Sequence, residues 1–246
     1  MISRRTFLGT TAGAIAASCL RAESVSAVQL PEPDHIILGC KNLDDGIAYL
    51  EKLSGYRAAN GGSHPGRGTR NALLKLGHKS YLEILAPDPA QPELKWHKDL
   101  ATLDAPVLVG WAVAIKNIEQ YATHLREHGV ACLGPNAGSR VTPAGQTLRW
   151  KTLLLEDDKQ GTLPFYIEWA QDSAHPSSTA PGECRLVGWV RTGQLAEMPA
   201  PGPEYRAVRM ADAPDAQLQA QISGNHGEFQ LMSRAIPSER WSKTIP

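Results

Sequence analysis

The chain has 246 residues, of which 42% are hydrophobic and 20% charged, values that set aside disordered, collagen-like and membrane-bundle proteins. Its 25 basic residues balance 25 acidic ones, so the positive footprint that nucleic-acid binding leaves is missing and nucleic acid is excluded as a partner. The length accommodates one large domain or two small ones.

The chain opens on Ser3-Arg4-Arg5-Thr6-Phe7-Leu8, a twin-arginine pattern. A mild apolar run from Gly9 to Ser18 follows, and then Val25-Ser26-Ala27, a small-residue cleavage site. Residues 1–27 read as a twin-arginine signal peptide, which predicts a periplasmic or secreted bacterial protein. The apolar run is about half the roughly 20 residues that cross a bilayer. A rival processing site at Ala16-Ala17-Ser18-Cys19 would acylate Cys19 and tether the protein to a membrane. Cleavage after Ala27 removes Arg4, Arg5, Arg21 and Glu23 and leaves a slightly acidic chain, unsuited to electrostatic membrane binding. Twin-arginine cargo commonly folds, and loads a cofactor, before export. Three cysteines remain, Cys40, Cys132 and Cys184, without a CxxC pair. Buried free thiols are expected, with room for one disulfide in an oxidising compartment.

From Pro33 the pattern predicts a strand at His35 to Cys40, then a helix at Leu43 to Leu53, where Leu43, Ile47, Leu50 and Leu53 fall at helical spacing. Asn42 is placed to cap that helix and Gly55 to stop it. A glycine-rich loop, Asn60 to Arg70, precedes strand-like runs at Ala72 to Leu76 and Tyr81 to Ala86. A second copy follows: strand Val107 to Ile115, helix Ile118 to Leu125, strands Thr147 to Leu155 and Phe165 to Ala170. Lys41-Asn42-Leu43 matches Lys116-Asn117-Ile118, and Tyr81-Leu82-Glu83 matches Tyr166-Ile167-Glu168. The spacing implies an insertion in the second copy near Gly134 to Gly145. Internal duplication is the simplest reading. The connection Pro87 to Leu103 is proline-rich and holds a short helix. Beyond Ala170, strands are expected at Leu186 to Thr192 and Glu228 to Ser233, around a proline-rich run at Met198 to Pro203.

Duplicated βαβββ units, the opening Asp34-His35-Ile36-Ile37, the loop Gly61-Gly62-Ser63-His64-Pro65-Gly66-Arg67-Gly68-Thr69-Arg70-Asn71-Ala72 and Tyr81-Leu82-Glu83-Ile84 resemble the glyoxalase-like family of the vicinal-oxygen-chelate superfamily. The resemblance spans residues 33–170 and implies an α+β fold. Two tandem modules, about 33–88 and 106–170, would curl one mixed sheet around a cleft, with 171–246 as a C-terminal extension or partial extra module packed on the same domain. In this superfamily a divalent metal sits between the modules. Carried over, its ligands here are His35, Glu83 and Glu168, for zinc, iron, manganese or nickel, and the second-module counterpart of His35 is Gly110.

Strand alternation puts Tyr81, Glu83 and Leu85 on one face, where a carboxylate among apolar neighbours must be paired or metal-bound. The alternative for Glu83 and Glu168 is a core-edge carboxylate bonded to an arginine such as Arg70 or Arg149. The glycine-rich loop reads either as a structural turn or as an active-site rim. On the second reading Thr69, Arg70 and Asn71 are donors to a carboxylate or enolate oxygen, and His64 is a general base or substitute ligand. Trp111 and Trp169 border the cleft strands as walls of an apolar pocket, and Trp96 and His97 lie in the connection that faces it. His78, His124, His128, His175 and His226 read as solvated.

The implied function is a metal-dependent lyase or isomerase acting on a small carbonyl or enol substrate with neighbouring oxygens, with Glu168 or His64 moving the proton. The competing reading is a metal-free small-molecule binding module on the same fold. A chain carrying both modules is expected to be a monomer, or a homodimer.

Overall fold

The first helix and strands form where the sequence periodicity puts them, in a computed structural model that describes residues 33–95, 97–194 and 208–237. The expected export segment, Cys19, Trp96, the run from Met198 to Pro203 and the last residues lie outside the described residues. β1 (His35–Gly39) is buried along its whole length. α1 (Leu43–Ser54) begins at Asn42, whose side chain accepts hydrogen bonds from the amides of Asp44 and Asp45. Gly55 closes it in the left-handed conformation, φ 75°.

Three strands complete the first module: β2 (Ala59–His64), β3 (Thr69–Lys75) and β4 (Tyr81–Pro87). Half of the expected glycine-rich loop is therefore strand, paired antiparallel with β3 through an irregularity between Asn60 and Gly62. Glycine is weakly disposed to strands, but here the backbone must pass very close to a neighbour. A Cβ on Gly62 would stand 2.7 Å from the Val141 carbonyl oxygen.

The second module repeats the order with β5 (Val107–Ala114), α2 (Ile118–Glu127), β6 (Cys132–Val141), β7 (Thr147–Leu155) and β8 (Phe165–Trp169). The anticipated insertion is a hairpin of longer strands, β6 and β7, in place of β2 and β3. The eight strands form one sheet in the order β2-β3-β4-β1-β5-β8-β7-β6. At its centre β1 and β5 run antiparallel, pairing His35 with Ala112 and Ile37 with Gly110. That reciprocal pairing is the local two-fold relation between the modules. The sheet curls until its outer strands meet, and the Arg140 guanidinium on β6 donates to the Gly61 carbonyl on β2.

The helices cover the convex face, where Ile36, Leu38, Leu50, Ile84, Trp111, Leu125 and Tyr166 belong to one buried cluster. On the concave face Ile37, Leu85 and Val109 pack against Leu100 and Leu103 of the inter-module connection, so that connection plugs one end of the curl. Its short 3-10 helix, Lys98–Thr102, is the helix expected there.

The C-terminal part adds β9 (Arg185–Thr192), β10 (Arg209–Ala211), β11 (Asp215–Gly224), β12 (Gly227–Met232) and β13 (Ile236–Pro237). They form a second sheet of order β10-β9-β11-β12, with β13 on β11. Its inner side chains, Trp189, Leu218, Ala220, Ile222 and Leu231, enter the convex-face cluster. β11 was not anticipated, although Ala216, Leu218, Ala220 and Ile222 alternate strictly with polar residues. Its small and amide side chains hide the pattern from a search for β-branched runs. The class is α+β, as the sequence indicated. Cys40, Cys132 and Cys184 are buried and free, and no helix among the described residues is long and apolar enough to cross a membrane.

Candidate active site

Four strands of the first module bring their inward side chains to one point on the concave face. His35 opens β1, Glu83 lies on β4 beside it, Asn71 comes from β3 and His64 from the end of β2; all are buried. One Glu83 oxygen lies 3.6 Å from His35 Nε2 and the other 3.6 Å from His64 Nε2. The Asn71 amide nitrogen donates to Glu83 Oε1 at 2.7 Å and to His64 Nε2 at 3.2 Å. His64 Nε2 is thus an acceptor, its proton sits on Nδ1, and that group donates to Thr69 Oγ1 at 2.9 Å.

Electrostatics follow from this packing. Burial drops the His64 imidazole to about 4, against a smaller opposing pull from Glu83, so it is neutral near pH 7. Burial also opposes ionisation of Glu83, but the neighbouring imidazoles, the Asn71 hydrogen bond and Arg140 outweigh it and hold the carboxyl below its ordinary range.

Behind His35 lies a second carboxylate. Asp34 Oδ1 is 2.6 Å from His35 Nδ1, while Oδ2 accepts from Trp169 Nε1 at 3.0 Å and lies 3.0 Å from His175 Nε2. Burial raises the Asp34 pKa, but bonds to His175 and His35 overcome that and hold it at about 2. An ionised acceptor on Nδ1 fixes the His35 tautomer with Nε2 as the lone pair facing the cleft. The ring is held flat by Tyr81, stacked at 4.7 Å and 20°, and by the edge of Phe165. His175, which read as a solvated loop residue, is part of this support; nothing within its own loop signals a partner 141 residues away.

The second module supplies a different wall. Arg140, Trp150, Thr152, Phe165, Ile167 and Trp169 line the cavity opposite the first-module group, with Arg67 from the β2–β3 turn. The Trp150 and Trp169 rings lie 5.5 Å apart. Arg67, Arg140, Trp150, Phe165 and Asp34 were not singled out from sequence. Asp34 and Arg67 stand inside motifs that were, whereas Arg140 and Trp150 lie on strands whose inward face only the pairing reveals.

Three expected site residues are elsewhere. Glu168 points out of the convex face, where its oxygens accept the Asn117 amide at 2.7 Å and the Ile118 amide at 3.4 Å, at the α2 N-terminus. The structure thus corrects the alignment of Tyr81-Leu82-Glu83 with Tyr166-Ile167-Glu168. Glu83 pairs with Ile37, and the second-module residue paired with Ala112, the counterpart of Ile37, is Phe165. The two matches differ by three residues, and an odd shift moves every side chain of a strand to the other face. Arg70 alternates away from its neighbours Thr69 and Asn71, and its charge acts on Asp88 and Cys40 instead. Trp111 is fully buried in the convex-face core, its Nε1 donating to the Thr162 carbonyl at 3.0 Å. Replacing Glu168 with alanine is expected to lower stability by about 1 kcal/mol, the usual cost of losing a helix cap, and to leave cleft binding unchanged; thermal melting and ligand titration check this.

The donor set does not match the expected metal trio. Gly110 and Phe165 occupy the second-module positions that correspond to His35 and Glu83, so that half contributes no ligand. In the first half the Asn71 amide group spans the gap between Glu83 and His64, and two guanidinium groups line the same cavity. No group of three or more His, Cys, Asp or Glu side chains among the described residues is arranged to hold a metal ion. His97 is half-buried beside Gly110, its ring 3.8 Å from where a Cβ would stand there.

Comparison with known proteins agrees with the architecture. A solved hypothetical protein from Staphylococcus aureus is similar over 84% of this chain and 87% of its own, at 16% identity and a TM-score of 0.53, a likeness of fold. Methylmalonyl-CoA epimerase of Streptomyces coelicolor, solved with 2-nitronate-propionyl-CoA, aligns over 59% of this chain and 99% of its own, at 24% identity and a TM-score of 0.45. The Mycobacterium tuberculosis epimerase aligns over 58% and 90%, at 19% and 0.39. No curated protein sequence matches. The family model described as a glyoxalase-like domain matches residues 34–227, from the Asp34 that supports His35 through both modules into the C-terminal sheet, and the chain belongs to that family.

Proposed function

We propose that this protein is a lyase or isomerase that moves a proton at the carbon beside a carbonyl or enol group of a small substrate held in the cleft. The observation that carries the reading is the line Asp34–His35–Glu83. An imidazole anchored by a buried carboxylate at 2.6 Å turns its free nitrogen toward the cleft, 3.6 Å from a second carboxylate. In this arrangement His35 Nε2 is the base. Asp34 keeps the tautomer and orientation, and Asp34 and Glu83 together stabilise the imidazolium formed when the proton arrives. Arg67 and Arg140, which line the same cavity, supply positive charge where an enolate oxygen develops. The protonated His35 then returns the proton to the same face of that carbon, to a neighbouring atom, or to a leaving group.

Proton movement therefore passes from His64 and Glu168, expected from sequence, to His35. His64 is neutral and its ring nitrogens are engaged by Asn71 and Thr69, which makes it a positioning residue for Glu83. No step is routed through a metal, because the second module offers no ligand. Stoichiometric divalent metal in the purified protein, lost in His35→Ala, would overturn this assignment and reinstate the metal-assisted mechanism. The direct test is exchange of the carbon-bound protons of small 2-oxo acids with solvent, followed by NMR in D2O. A protein that binds such compounds and accelerates exchange in none of them is the binding module instead.

The twin-arginine segment at Arg4-Arg5 places this activity outside the cytoplasm in our reading. Cell fractionation is expected to find the protein in the periplasm, and an Arg4→Lys, Arg5→Lys double variant in the cytoplasm. A wild-type protein found only in the cytoplasm would sink the export assignment.

A further inference from the structure

The concave face holds a second, larger cavity beside the first. Around His35 and Glu83 there is about 30 Å³ of space, enough for one group the size of a water. A carbonyl or enol oxygen fits there; the rest of a substrate must lie elsewhere. The larger cavity measures about 220 Å³, more than the roughly 150 Å³ that takes a benzene in an engineered core. Register places the two in sequence. Inward side chains recur at every second residue of a strand: Asn71 on β3 and Trp150 on β7 line the small cavity, and Leu73 and Leu148 on the same strands line the large one. Asn71 pairs with Leu85, which packs on the connection that plugs one end of the curl, and Leu73 pairs with Glu83, a step further from that plug. The large cavity is thus at the open end.

Side chains join the two spaces. Arg140, 5% exposed, lines both. Leu148 shares one apolar cluster with Trp150 and Ile167, onto which Trp169 packs, so an apolar strip runs from the chamber toward the reacting group. The Asn71 amide nitrogen serves Glu83 and His64, while its buried oxygen accepts no hydrogen bond and is turned to Gly61 in the chamber wall, where any Cβ would collide with it. A ligand donor at this junction would satisfy that acceptor. Among the described residues lining the chamber, Arg140 alone is charged, and its guanidinium donates to the Gly61 carbonyl and feels the Glu83 carboxylate. The remaining walls are apolar, as at Leu73, Leu148 and Pro181, or uncharged, as at Asn60 and Gln146.

We infer that the open-end chamber is the specificity subsite, and that the substrate carries an uncharged, largely apolar tail of about six carbons. The tail sits between the β6–β7 turn and the loop after β8, and only the carbonyl or enol group reaches His35 and Glu83. Each methylene buried there favours binding, whereas a charged tail loses water without gaining a partner of its own. The inference rests on the proton-transfer reading for the chemistry performed and adds the shape of the molecule on which it is performed.

The test uses three methyl ketones with the same reacting group and different tails: acetone, hexan-2-one and 5-oxohexanoate. Each is titrated into the full chain and followed by NMR. Hexan-2-one is expected to bind at least roughly tenfold more tightly than acetone, through three further buried carbons, and more tightly than 5-oxohexanoate. Ala144→Trp and Ala174→Trp, at exposed positions on the two rims of the chamber, are each expected to bring hexan-2-one and acetone near parity. Equal binding of these two by the wild type, tighter binding of 5-oxohexanoate, or a hexan-2-one preference that survives both tryptophans overturns the inference. Deuterium exchange into the same ketones reads the chemistry separately. A tail preference without faster exchange keeps the chamber and sinks proton transfer; faster exchange without a tail preference does the reverse.

Discussion

Substitution of glutamine for His35 is expected to slow solvent exchange at the substrate carbon by roughly 10²- to 10⁴-fold, the usual contribution of a positioned general base, with ligand binding largely kept. Glutamine can still donate toward Asp34, but it has no basic nitrogen to face the cleft. Asp34→Asn is expected to lower the rate as well, because an amide favours the wrong tautomer of the imidazole, even though Asp34 does not line the cleft. Its effect should fall on the rate and not on binding, as expected of a positioning residue. A His35→Gln protein that exchanges at the wild-type rate would remove His35 from the chemistry and leave Glu83 as the base. These variants also separate enzyme from binding module, because the affinity of a module has no need of a basic His35.

The second large effect concerns stability. Trp111→Ala is expected to cost about 3–5 kcal/mol, a large fraction of the 5–15 kcal/mol that holds a typical domain together. The indole is fully buried at the contact between the eight-stranded sheet and the C-terminal sheet, its ring 5.7 Å from that of Trp189 in an edge-on arrangement. Its loss empties space that neither sheet can collapse to fill. Trp111→Phe is expected to cost less, about 1–3 kcal/mol, chiefly because the Thr162 carbonyl loses its buried donor. Denaturant unfolding measures both. Were Trp111 a cleft wall, as its position in the sequence suggests, the variants would instead lose ligand affinity at unchanged stability.

Trp111 shows how far the sequence can be read. The elements around it were legible: hydrophobic spacing located α1, α2 and β7, and the capping role of Asn42 and the stop at Gly55 follow from local chemistry alone. The first half of the site was legible for the same reason. His35, His64, Thr69, Asn71 and Glu83 lie in motifs close together along the chain, and each is where the structure gathers the cleft. Strand periodicity, however, states which residues share a face without stating which face looks inward. On a sheet packed on both sides, apolar residues occur on each, so Trp111 and Tyr166 look as suited to a cleft as Phe165 and Trp169.

The amino-acid sequence by itself determined the two helices, most strands of the two modules and the first-module half of the cleft, because those depend on spacings of a few residues. Only the tertiary structure decided that Glu168 caps a helix outside the cleft, since the ladder between β5 and β8 pairs Ala112 with Phe165, three residues from Glu168, and an odd shift in register turns the whole strand over. Only the curl of the sheet brought Arg140 to Gly61, 79 residues away, and only the loop after β8 brought His175 to Asp34, 141 residues away. Contacts of that range are set by how two sheets and two helices bury their apolar faces together, which no local pattern in the chain encodes.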